Sequence, residues 1–160
     1  RRSAAECPQV KFMSPPPVGA YNALHFPDFH REWVDLGLIE PNDVRINIIS
    51  FPQNMSLQVL PNDVKRKVEA KCLAALDYFR DLAKKSNLRL DQVESGYASI
   101  LSYMWAGDQC GLIPELAERT RLVDTARGLR LEDYFPEIDF IPELPPRNQG
   151  NMQPVNSAHL

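Results

Sequence analysis

Residues 18–82 constrain the fold most, because they read as a parallel-sheet unit that two strands cannot complete. Two short strand-like runs, Val18–Leu24 and Val44–Ile49, flank a compact amphipathic segment, and a much longer helical pattern follows. A parallel pair needs a crossover of about a dozen residues or more, and parallel sheets occur where both faces are covered. The spacing therefore predicts an α/β chain that forms the end of something larger. Its first residue, Arg1 rather than Met, agrees with that expectation.

In the crossover segment, Pro27-Asp28 opens a helix that places Phe29, Trp33 and Leu36 at i, i+4, i+7, with Gly37 as its stop. Val44, Ile46, Ile48 and Ile49 form a β-branched run of the length expected of a buried strand, ended by Phe51-Pro52. Ser56–Leu60 reads as extended. Pro61-Asn62-Asp63 then starts the longest helix, with Val64, Val68, Cys72, Ala75, Phe79 and Leu82 on one face and Asn87 at its end.

Asp91 and Glu94 make a D-x-x-E helix start, after which Val93, Tyr97, Ile100, Leu101 and Met104 line one face up to Gly107. Pro114 opens another helix that Gly128 stops, and Leu131–Phe135 adds one turn before Pro136. At the ends, Val10–Met13 reads as a short strand cut off by Ser14-Pro15-Pro16-Pro17, and Arg1–Gln9 reads as irregular. The organisation expected is a first unit over residues 1–90, a helical region over 91–140, and a proline-rich disordered tail over 141–160.

At 160 residues and 44% hydrophobic, the chain is long enough for one modest domain. A net charge of −3 gives no electrostatic footprint for nucleic acid and no polybasic surface for a membrane. No apolar run approaches the roughly 18 residues of a membrane span, and the two leading arginines precede no signal-peptide core. A cytoplasmic location is expected.

Cys7, Cys72 and Cys110 are odd in number and far apart, so neither a disulfide framework nor a self-contained zinc site is expected. Cys72 falls on an apolar helical stripe and reads as a small buried hydrophobe, and Cys110 beside Gly111 reads as an exposed thiol. His25 and His30 straddle a strand-to-helix junction without the i, i+4 spacing of paired ligands.

Asn22 and Asn47 lie in or near the ends of the expected parallel strands, where ligands bind in barrels. An amide offers donors and an acceptor, which suits a ribose or an amino acid; it suits equally the backbone of its own loop. Arg119, Arg121, Arg127 and Arg130 alternate with acids. They make either a solvated helix face or a clamp for phosphate or carboxylate. Trp33 and Trp105 read as packing residues, with Trp105 also placed to stack on a partner.

Three segments read in order resemble one family. They are Tyr21-Asn22-Ala23-Leu24-His25-Phe26-Pro27-Asp28-Phe29 with Trp33 and Gly37, then Arg45-Ile46-Asn47-Ile48-Ile49 with Leu57-Gln58-Val59-Leu60-Pro61, and last Asp124, Arg127 and Tyr134-Phe135-Pro136-Glu137-Ile138. Together they resemble the C-terminal portion of twitch-domain (SPASM-related) radical S-adenosylmethionine (SAM) proteins, over roughly residues 18–138.

The resemblance implies the last parallel strands of a partial (β/α)6 barrel followed by a helical C-terminal region. It implies a [4Fe-4S] cluster and SAM in the intact protein, acting through a 5′-deoxyadenosyl radical on a peptide, protein or small substrate. The C-x-x-x-C-x-x-C motif that would hold the cluster does not occur in this sequence. The chain alone is therefore expected to bind no cofactor and to be inactive, the missing N-terminal half supplying the chemistry. Asn22 and Asn47 would face SAM or substrate. The alternative is a non-enzymatic helical protein-interaction module that docks through the Trp105 region and the tail. A small-molecule binding domain without redox chemistry is a further rival.

Overall fold

The structure, a computed structural model, describes residues 13–142. The expected strand at 10–13 (apart from Met13), Cys7, and the tail beyond residue 142 lie outside the described residues. Strand β1 (Pro17–Val18) is followed by helix α1 (Phe26–Asp35), strand β2 (Asn47–Ile48), and helices α2 (Asn62–Ser86), α3 (Asp91–Trp105), α4 (Ile113–Arg127) and α5 (Leu131–Tyr134). The two strands pair in parallel, Pro17 with Asn47 and Val18 with Ile48, and an isolated parallel bridge joins Ser14 to Val44.

The parallel pair and its helical crossover match the sequence reading; the partial (β/α)6 barrel does not. The described chain is mostly helical, with two short strands and no others. The first run read as strand, Val18–Leu24, leaves the extended conformation after Val18. Gly19 approaches β2 so closely that a Cβ there would sit 2.6 Å from the Met55 carbonyl oxygen and 2.9 Å from Ile49 Cδ1. Beyond it the amides of Asn22 and Ala23 both donate to the Gly19 carbonyl, and that of Phe26 to Asn22, so the segment winds into turns that lead into α1. The second run pairs along its length through the amides of Arg45, Asn47 and Ile49, although only two residues are regular strand.

Ser56–Leu60, read as extended, is instead a 3₁₀ turn over Leu57–Val59. A strand would turn alternate residues outward. The tighter turn lets Leu57, Val59 and Leu60 all reach the core.

Helix α2 buries Val64, Val68, Cys72, Ala75 and Phe79, as its periodicity predicts, and ends on Asn87 in the left-handed conformation (φ 50°). Helix α3 buries Val93, Tyr97, Ile100 and Met104. In α1 the buried face is offset from the expected one: Phe26, Pro27 and His30 are buried, the Phe29 and Trp33 rings pack tilted on each other with centroids 4.5 Å apart, and Leu36 is exposed. One hydrophobic core runs from Val18 through Val44, Phe79 and Tyr97 to Leu116. Among the described residues no helix is long and apolar enough to cross a membrane.

Candidate functional site

The first and third of the three resembling segments meet at the turn after β1, which is also tied to the turns after β2 and to α4. The Ala20 amide donates to the Met55 carbonyl at 2.9 Å, tying the turn after β1 to the turns after β2. Thr120 spends its hydroxyl hydrogen on the Leu116 carbonyl (2.9 Å), so the Tyr21 hydroxyl donates to Thr120 Oγ1 at 3.0 Å. Burial raises the Tyr21 phenol above its usual range, and it stays protonated. At the end of the turn the His25 ring meets the Phe135 ring edge-on at 5.8 Å, with Glu137 Oε1 at 3.9 Å from its Nδ1. Lys71 of α2 reaches the Leu24 carbonyl (3.0 Å) and Asp28 (2.6 Å) from below.

Asn22 sits in this turn with both amide atoms engaged. Its Oδ1 accepts from the Gly19 amide at 3.0 Å and its Nδ2 donates to the Pro17 carbonyl at 2.8 Å. Pro17 is also the register partner of Asn47, so one residue links the two candidate amides. The Asn47 side chain is exposed and makes no hydrogen bond among the described residues. Asn22 thus shapes the loop, and of the two only Asn47 presents an uncommitted amide.

An open cavity of about 600 Å³ lies between α4 and residues 128–142, bordered by Thr120, Arg121, Asp124, Arg130, Ile138 and Ile141 among others. Four of its charged groups are held within the chain. Arg121 grips Glu118 through two nitrogens at 2.7 and 3.0 Å, Arg130 pairs with Glu132, and Asp124 Oδ2 accepts from the Leu131 amide at 3.0 Å. These pairings favour the solvated-face reading of Arg121 and Arg130 over a clamp.

Two further polar sites, around His30 and Lys65, are not foreshadowed by sequence pattern. Buried His30 (0% exposed) bonds the Tyr97 hydroxyl through Nδ1 (3.2 Å) and the Pro41 carbonyl through Nε2 (3.1 Å). A carbonyl only accepts, so Nε2 carries the proton and Nδ1 accepts from Tyr97. Burial drives the His30 pKa down to about 4. The second site is Lys65, 1% exposed, whose Nζ donates to the Gly107 carbonyl at 2.9 Å and lies 5.6 Å from the centre of the Trp105 ring. A cation there suits the negative end of α3. Gln58 Nε2 adds a bond to the Tyr103 carbonyl at 3.1 Å, so the loop after Trp105 is tied down from inside.

The two cysteines among the described residues do not fit an iron–sulfur cluster. Cys72 is fully buried and its thiol is pushed up to about 12, chiefly by burial, which opposes the thiolate a cluster requires. Cys110 is exposed, and its hydrogen bond with Asp108 raises its thiol as well. Among the described residues no group of three or more His, Cys, Asp or Glu is placed to hold a metal ion. Compared with protein-family models, curated proteins and solved structures, the chain matches none.

Proposed function

We propose that the chain is a non-catalytic part of a radical SAM enzyme that modifies a peptide, protein or small substrate, with the cluster supplied by polypeptide outside this chain. The observation that carries the reading is the meeting of the first and third resembling segments. Far apart in sequence, they touch where the His25 ring packs edge-on against Phe135, with Glu137 Oε1 at 3.9 Å from His25 Nδ1. The proposal does not need a barrel within the chain. It needs the exposed side of the β1–β2 pair, with Asn47, to face the cluster-bearing part.

The reading frame upstream of the Arg1 codon, or a neighbouring gene, is expected to encode C-x-x-x-C-x-x-C. The product carrying that motif and this chain together, reconstituted anaerobically, should release 5′-deoxyadenosine from SAM, and this chain alone should not. Absence of the motif from both places refutes the enzyme reading. Cleavage by the chain alone refutes its non-catalytic role.

A specific observation favours the second reading, a protein-interaction module. Phe51, at 85% exposure, and Trp105, at 42%, place large apolar side chains in solvent. Under that reading Phe51→Ser weakens association with a partner protein and leaves folding intact.

A further inference from the structure

The geometry points to the outer edge of β2 as a docking strand for an extended, uncharged segment of a second polypeptide. The amides of Arg45, Asn47 and Ile49 donate inward to the carbonyls of Ser14, Pro16 and Val18 at 2.9, 3.1 and 2.9 Å. Backbone groups of successive strand residues point to opposite edges, so Ile46 and Ile48 aim their N–H and C=O groups outward. Among the described residues those groups make no hydrogen bond.

The other edge of the pair is closed. Pro15 and Pro17 have no N–H to offer, and the Pro17 carbonyl is taken by Asn22 Nδ2. Proline on an edge is a standard guard against strand addition. The run Val44–Ile49 carries neither proline nor lysine. One edge is guarded and the other is presented.

The free groups identify the occupant. Donors and acceptors repeating at strand spacing are recognised by an extended backbone, and by neither a helix nor a lipid surface. Beside the strand, a shallow groove is lined by Ile48 with Ser95, Ala98, Ser99, Ser102 and Tyr103 of α3, and no lining residue is charged. Side chains of an added strand that face α3 must therefore be uncharged and modest in size.

A second copy of this chain fits less well than a separate polypeptide. Helix α3 lies against β2 so closely that a Cβ on Gly96 would meet Ile46 Cδ1 at 2.7 Å. Antiparallel pairing of two β2 edges about an axis normal to the sheet would bring two α3 helices together. Strands pair at about 4.8 Å, whereas helices pack at about 8–10 Å. The inference does not rest on the radical SAM reading.

The test is amide exchange of the full chain followed by NMR. The probe is an end-blocked, uncharged peptide of alternating threonine and valine. At about nine-tenths occupancy, exchange at Ile46 and Ile48 should slow about tenfold, with the inward amides of Asn47 and Ile49 little changed. The same peptide, N-methylated on alternate residues, should do nothing. Ile48→Pro removes one outward N–H and should abolish the effect. Should that variant fail to fold, Ser99→Lys on the exposed flank of α3 should weaken it instead. Unchanged exchange at saturating peptide overturns the inference, as does equal protection by the N-methylated peptide. Protection that grows with chain concentration alone assigns the edge to a second copy and also overturns it.

Discussion

Acidification provides the sharpest test of the core, because His30 is buried neutral between two fixed partners. Protonating Nδ1 places an N–H against the Tyr97 hydroxyl, which must turn and leave its own hydrogen unpaired in a dry site. In the unfolded chain the imidazole titrates near 6.5, and in the fold near 4. The unfolded state therefore binds the extra proton first as pH falls. The stability due to neutral His30 is fully present above pH 6.5 and is lost as pH drops from there toward 4. With those two values the loss between pH 7 and pH 5 is about 2 kcal/mol, reaching about 3 kcal/mol near pH 4. For a chain of this length 2 kcal/mol is roughly 4–8 °C in Tm.

Urea unfolding at pH 7, 6 and 5, compared with His30→Gln, measures that share directly. The wild type should lose about 2 kcal/mol more than the variant across the window. Asp81, held low by Lys84, and Asp108, held low by the Cys110 amide, titrate below the window and do not mimic the effect. Equal losses in both proteins, or an imidazole that titrates near 6.5 by NMR, would refute the assignment.

Gly19→Ala forces a Cβ against a backbone oxygen and should cost about 1–3 kcal/mol in urea unfolding. Gly96→Ala brings a Cβ to 2.7 Å from Ile46 Cδ1 and 3.2 Å from its Cγ1, and the shift this demands of that side chain should offset the helix propensity gained, about 1 kcal/mol, leaving stability nearly unchanged. Asn22→Ala removes the bonds to Gly19 and Pro17 and should lower stability by about 1–2 kcal/mol, read by thermal melting. Lys65→Met leaves the Gly107 carbonyl unpaired, and should cost about 1–3 kcal/mol and shift Trp105 fluorescence as the cation leaves its ring.

The helices were legible in the sequence where periodicity and a stop residue agreed. Asn87 and Gly128 end α2 and α4 in the left-handed conformation that their positions suggested. Helix α1 was legible as an element and not as a face. Phe29, Trp33 and Leu36 make the more apolar stripe, and His30 counts as polar until Tyr97, 67 residues away, supplies its partner. The same limit hid Lys65, whose burial depends on the Gly107 carbonyl at the far end of α3. Strand length was overread between Val18 and Leu24, because β propensity does not register a side chain such as Asn22 closing a turn on its own backbone.

One physical contradiction remains built into the fold. A parallel pair usually persists because both faces are covered, yet here the core seals only the face of Val18 and Val44. On the opposite face Pro17, Arg45 and Asn47 stand in solvent, and Phe51 follows them there. Six residues of run, two of them regular strand, supply little pairing energy of their own; the core-facing side chains hold the strands in place. Packing among the described residues thus accounts for one face and one edge. The other face and the outer edge of β2 carry the exposed ring of Phe51 and, among the described residues, the unbonded amide of Asn47 and the unpaired groups of Ile46 and Ile48. Features that packing among the described residues does not explain thus lie on that face and along that edge, both open to another polypeptide.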